Sequence, residues 1–510
     1  MNSIVFYTLF YGGTKMNKIF ISLHWRNKSV RKEIYMKTIS TSPMNHSSDI
    51  CIDVTLMIEF DTKPVLNQKG FIRIYDYDTD ELVDELDLSI PSGPTAPRKN
   101  PEARYTTGYR YKSENITNKN TKAGSLSMEY RSSPDPYQLT IIGGFKEGFH
   151  FYPVIIKDDR AMIQLHHNLL EYRHKYYVLI DKEVFDGFDG IDHKDGFCFS
   201  TKKERPIGNR FVVDKNHGDF YTVQGAIDNI PDFSDVKYFV DIKNGEYEEL
   251  VYFRNKSNIV ITGESKDGVL IHYANNEVFN PHPEYVKTNE KVGTFPSRRA
   301  AFFMDNCHGI VMRDLTVKTD LHGQAEGLLV NGYDNCFENI HIIGSGDALQ
   351  TNGPAYYRNC IIDGEGDTIL GRGPAFFENT TLNSKGAFMW IRNGKENHGN
   401  VFVNCMFNGL DDDATIVRLP DNKGISYPDS ECVLINCTLN HVPDIGYGPI
   451  EGDSKKARLW EYGSKDIHGN EIDVTHRNTV ARILRDENRD IIEKYMDYHY
   501  VLGDDFKMSL

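Results

Sequence analysis

Two aspartates occupy one place in a short repeat. The phrases FENIHIIGSGD and YRNCIIDGEGD put Asp347 and Asp367 each eight residues after an asparagine, Asn339 and Asn359, and the second phrase begins 20 residues after the first. In a chain that coils once per repeat, equivalent positions stack at the strand spacing of about 4.8 Å, so the two carboxylates are expected to be vertical neighbours. Like charges that close raise one pKa by whole units. One group is then ionised and the other protonated at the same pH, which is what a nucleophile beside a proton donor requires. Taken singly, each is an ordinary turn aspartate after a glycine, Gly346-Asp347 and Gly366-Asp367; the stack sets them apart.

The repeat continues on both sides of the pair. Phrases of the same shape surround Asp314, Asn379, Asn404 and Asn436, with successive steps of 25, 20, 20, 25 and 32 residues. Short apolar runs rich in Ile, Val, Phe and Thr, a polar corner and glycine interruptions at this period indicate a solenoid of strands. The expected fold is therefore all-β, with a right-handed parallel β-helix over residues 207–510. Cys360, Cys405 and Cys437 each follow the repeat's asparagine and read as small inward-facing core residues, and the eight cysteines contain no CxxC pair. From Asp466 to Leu510 the pattern turns helical, and this segment is expected to cover the open end of the solenoid.

These residues resemble the pectin methylesterases of carbohydrate esterase family 8. The family's QA-x-A-L, G-Y-Q-D-T-L, V-D-F-I-F-G and G-R-P-W stretches correspond here to Gln324-Ala325, to Gly344 through Leu349 with Asp347, to Gly366 through Gly371 with Asp367, and to Val417-Arg418-Leu419-Pro420. The likeness extends to GDFYTVQGAIDNIP (218–231), IKNGEYEELVYF with NIVITGES (242–265), and ARLWEYGS (457–464). It implies a carboxylic ester hydrolase acting on methyl esters of galacturonate in pectin. In that reading Asp367 is the nucleophile, Asp347 the proton donor and then the base, Arg418 the partner of Asp367, and Gln324 an oxyanion donor. Three positions depart from the family pattern. Gly346 stands where a second glutamine precedes the acid, Thr368 and Leu370 replace aromatics, and no tryptophan follows Arg418. Slow turnover on ordinary pectin is expected unless a neighbour supplies the missing donor.

Other readings of the same residues stay open. An esterase for acetyl or an unusual methyl ester would fit the altered pocket. A polysaccharide lyase would use Asp411, Asp412 and Asp413 near Arg418 as cation ligands. A non-catalytic glycan-binding relative is the third. Serine hydrolysis is disfavoured, since no G-x-S-x-G occurs. Dinucleotide and P-loop fingerprints are absent, and no cofactor or metal is expected.

The remaining chain bounds the surroundings. At 510 residues there is room for two domains and a tail, and the net charge of -15 argues against nucleic acid as a partner. No apolar run reaches the length of a membrane span. Residues 1–48, with the apolar stretch SIVFYTLFY (3–11), are taken as a leader or a disordered segment, without a recognisable cleavage site. Export to a bacterial periplasm or surface is expected from the resemblance alone, and a monomer is expected. Residues 50–202 read as a β-sandwich, similar to the bacterial Ig-like modules that precede surface enzymes. Within them, 94–135 is a polar insertion carrying Arg98, Lys99, Arg104, Arg110 and Lys112 among tyrosines.

Overall fold

The computed structural model describes residues 36–95, 137–145, 148–281, 298–421, 424 and 426–508. The insertion at 94–135 and most of the leader fall almost wholly outside the described residues.

From Arg210 onward the chain is a right-handed parallel β-helix. One coil shows how the sequence makes it. Strand His341–Ile343 leads through a tight turn into Leu349–Arg358, which bends midway to serve two faces. The chain then turns at Asn359 and enters Ile361–Gly364. Twenty residues later the pattern recurs, with Leu349 opposite Ile369, Ala355 opposite Ala375 and Ile361 opposite Thr381 in parallel register. Among the described residues, seventeen strands form the two bent faces and eight form the third.

The repeat's asparagine has a steric cause. Asp314, Asn339, Asn359, Asn379, Asn404 and Asn436 all have φ between 49° and 58°. That left-handed conformation is tolerated by Asn and Asp and costs other side chains more. The next residue turns inward, so Cys360, Cys405 and Cys437 are buried free thiols. Inside, Phe337, Tyr357, Phe377 and Phe402 stack with centroids 4.7, 4.7 and 4.5 Å apart. Such pairs contribute about 0.5–1.5 kcal/mol each beyond their burial and help fix the register. On the third face a ladder runs from Asp363 through Asn383 and Asn408 to Asn440, each amide donating to the side chain of the coil before.

The first coil is closed by a short helix, Val223–Asp228, whose N-cap Thr222 accepts from the Gly225 amide at 3.0 Å. Asp53 of the N-terminal region also accepts from the amides of Tyr221 and Thr222, tying the two parts together.

That region holds a four-stranded and a five-stranded sheet over their own apolar core, with Leu56, Ile58, Phe60, Ile72, Ile74 and Val178 at its centre. Its strands begin earlier than expected. Thr38–Ser42 pairs with Leu56–Phe60, and Ser47–Ile50 with Cys198–Thr201. Residues 36–48, expected to lie outside the sandwich, therefore contribute strands to it. Both strands are polar and largely exposed, so their sequence lacks the alternating apolar signal of a half-buried strand.

The C-terminal segment also needs correction. Among the described residues of this segment, only Arg489–Met496 and Tyr498–Leu502 are α-helical, and they pack along a side of the solenoid. Ile492, Tyr495, Val501, Leu502 and Phe506 pack on Val311, Cys336, Tyr356, Phe376, Val401 and Val433, which face outward from the second face of the solenoid. An apolar exterior column needs cover, and the amphipathic helices supply it.

Candidate active site

On the first face, alternate residues point in and out. Leu328, Leu349, Ile369 and Met389 belong to the interior core. Their neighbours form an outward column in register, running Tyr252, Phe303, Leu329, Gln350, Leu370 and Trp390. Asp347 and Asp367 lie on the turns that feed this column, each two residues before a paired strand position. Bonds from the Glu365 amide to the Gly346 carbonyl at 2.9 Å and from the Ala348 amide to the Thr368 carbonyl at 2.9 Å hold those turns one above the other. The carboxylates are consequently neighbours on adjacent coils, and both are at least nine-tenths buried.

Each has its own guanidinium. Arg418, one coil beyond Trp390, grips Asp367 in a fork: its Nε donates to Oδ1 at 2.5 Å, and a terminal nitrogen donates to Oδ2. Arg299 donates to Asp347 Oδ2 at 2.6 Å. It also donates from Nε to both oxygens of the fully buried Glu326, at 2.8 and 3.0 Å, and to Gln324 Oε1 at 2.6 Å. Burial opposes the Arg299 charge, but Glu326 and Asp347 outweigh it and push its pKa further up.

Asp347 is the perturbed group. Burial pushes its pKa from 3.8 to about 7; Arg299 opposes that rise, whereas Glu326 and Asp367 add to it. The stacked pair is thus electrostatically split, with an acid near neutrality beside a carboxylate held in an arginine fork.

The structure brings together Asp347, Asp367, Arg418 and Gln324. Sequence reasoning missed Arg299 and Glu326, which link Gln324 to Asp347. It also missed the aromatic wall. Trp390 lies under the guanidinium of Arg418 at 5.3 Å and that of Arg392 at 4.8 Å, with Tyr427 edge-on at 6.4 Å. The tryptophan expected after the arginine is absent, but an indole is present from another coil. A signal existed: positions 350, 370 and 390 are spaced by the 20-residue step of the repeat.

Gly346 is fixed by its backbone. Its φ is +72°, and a Cβ there would stand 2.8 Å from the Gly323 carbonyl oxygen. Gly344 is tighter still, a Cβ falling 2.2 Å from the Asp347 carbonyl oxygen. This turn has no room for a glutamine at the residue before the acid. Gln350, buried on the column beside the pair, has an amide nitrogen without a hydrogen-bond partner.

Among the described residues two side-chain groups could hold a cation, His46 with Asp195 and Cys198, and Glu248 with His272 and Asp320. Neither includes a groove residue, and Asp411, Asp412 and Asp413 are exposed and belong to neither.

Comparison with known proteins bears on this geometry. The family model for Pectinesterase matches residues 209–498. Among solved structures, pectin methylesterase from carrot is 19% identical with a TM-score of 0.46, covering 56% of this chain and 92% of that one. Pectin methylesterase PemA from Erwinia chrysanthemi is 20% identical with a TM-score of 0.44, covering 59% and 98%. No curated protein sequence matches. With more than half of its length matched by one family, and the two aspartates within that match, the chain belongs to the pectinesterases, a family of carboxylic ester hydrolases.

Proposed function

We propose that the protein hydrolyses methyl esters of galacturonate residues in pectin through an aspartyl nucleophile. The observation that carries this is the split pair: Asp367 held in the Arg418 fork, and Asp347 beside it with its pKa raised to about 7. A carboxylate oxygen of Asp367 attacks the ester carbonyl carbon. The tetrahedral oxyanion collapses, the C–O bond to the methoxy group breaks, and Asp347 gives its proton to the departing methanol. An acyl anhydride with Asp367 remains. Asp347, now ionised, takes a proton from water as the water oxygen attacks the acyl carbon; the anhydride C–O bond breaks, returning Asp367 and leaving a free galacturonate carboxyl group. Arg418 holds Asp367 in place for attack.

Of the two glutamines the motif implies for oxyanion binding, Gln324 alone is present, Gly346 standing in place of the other. Gln324 has its carbonyl oxygen taken by Arg299, which leaves its NH2 group as the donor. Trp390 and Tyr427 offer aromatic faces to a sugar ring. The test is methanol release from methylated pectin by the wild type and by Asp367→Asn. The wild type should release methanol and the variant should release none above background; equal release would end the aspartyl reading.

A further inference from the structure

We propose that the N-terminal β-rich region closes one end of the groove, so that the site takes the terminal residues of a methylated galacturonan, or a short oligosaccharide of it, rather than an internal stretch of a long chain; this rests on the esterase reading above.

The outward column is the floor along which a polymer would lie, since it crosses successive coils past the aspartate pair. On the side of the early coils that floor is not free. Tyr252, Phe303 and Leu329 are fully buried. The segment containing Ile142, Phe145 and Phe149 packs on them in one apolar cluster, together with Tyr273, Phe279 and Ala300 of the solenoid. Phe145 stacks on Phe303 at 5.6 Å, and Phe149 meets Tyr252 edge-on at 4.8 Å. Leu329 lies one coil before Gln350, and Gln350 is three residues from Asp347. The covered floor therefore reaches within a single coil of the proton donor.

This cover is built as a wall. Gly143 approaches so closely that a Cβ would fall 1.7 Å from the Tyr252 carbonyl oxygen, and the Arg254 amide donates to the Gly143 carbonyl at 3.1 Å. Arg298, itself buried, donates to the Gly148 carbonyl and lies 3.9 Å over the Phe149 ring. His150 and Asn280 exchange backbone-to-side-chain bonds of 2.8 and 3.1 Å. Tyr152 stacks on Phe279 at 4.6 Å. Beyond the pair Leu370 is still buried, and the floor opens at Trp390, which is part-exposed, and at Arg418, whose side chain is 33% exposed. A long chain can leave toward Trp390 and Arg418. Its other end must stop within about one coil of Asp347.

The experiment uses the full chain and one methylated galacturonan, cut beforehand into fractions of decreasing length at equal ester content. Initial methanol release per ester should rise in proportion to the number of chain ends, and NMR of the polymer product should show new carboxylates confined to a terminus. Release per ester independent of length, with carboxylates spread along the chain, would overturn the proposal while leaving the esterase reading intact. Calorimetric titration of Asp367→Asn with the same fractions gives a readout that needs no turnover. End binding predicts one protein per chain at every length, and a stoichiometry that grows with length would overturn it. If no fraction yields methanol but the stoichiometry stays at one per chain, the esterase reading fails and the closed groove stands. Absence of binding at every length would overturn both.

Discussion

Replacing Asp347 by asparagine should stabilise the protein at alkaline pH and do little at acid pH. The folded chain holds a proton on Asp347 up to about pH 7, whereas an unfolded chain releases it near 3.8. Between those values the folded state binds more protons than the unfolded one, so stability falls as pH rises, by about 1.4 kcal/mol per pH unit. The interval is a little over three units, so the destabilisation is fully expressed above pH 7 at about 4 kcal/mol. Asparagine has no proton to lose and escapes this cost. Arg299 is not orphaned by the change, because Glu326 and Gln324 remain its partners. For a chain this long, 4 kcal/mol corresponds to roughly 4–8 °C in melting temperature. The assay is thermal melting of wild type and Asp347→Asn at pH 4.5 and pH 8.5. The variant's advantage should appear at pH 8.5 and shrink by most of its value at pH 4.5, with turnover lost at both. An advantage independent of pH, or a variant less stable at pH 8.5, would refute the raised acid and with it the division of labour between the aspartates.

Arg299→Met removes the cation that opposes the raised pKa of Asp347, so the alkaline limb of kcat/KM, set by loss of the Asp347 proton, should move upward by about one unit or more; a pH–rate profile checks it. Gly346→Gln restores the family's residue but places a side chain at φ +72° against the Gly323 carbonyl. It should destabilise by about 1–3 kcal/mol without raising turnover, as read from melting and methanol release. Arg418→Lys loses the two-pronged grip on Asp367 and should lower kcat by about ten- to a hundredfold, measured with KM on one methylated oligosaccharide.

How much of this was legible in the sequence depends on how far apart the cooperating residues lie in the chain. Asn339, Asn359 and Asn379 share one 20-residue step with the two aspartates, and the inward cysteines each follow a corner asparagine; a solenoid converts equal offsets into vertical contact. That made the fold and the stack readable from spacing. Arg299 and Glu326 were not readable in this way. They stand 48 and 21 residues before Asp347 in coils of unequal length, and inside apolar runs a charged residue carries no label saying which partner it will find. The C-terminal helices failed for a related reason. Val311, Cys336, Tyr356, Phe376 and Val401 alternate with interior residues in strands apolar on both sides, and such a strand does not reveal that one side is an exterior awaiting cover.

Unequal coil lengths also explain how one groove holds two arginines of different use. The step from Asp347 to Asp367 is a single 20-residue turn, which leaves the carboxylates no lateral freedom to separate. Arg418 stands 28 residues after Trp390 on the next paired strand, and its guanidinium lies over the indole and reaches Asp367. Arg299 reaches Asp347 from the opposite direction, over Glu326. Two acids fixed by the repeat are thus told apart by cations that the repeat does not fix. A change of either arginine alters the chemistry of the pair without disturbing the stack.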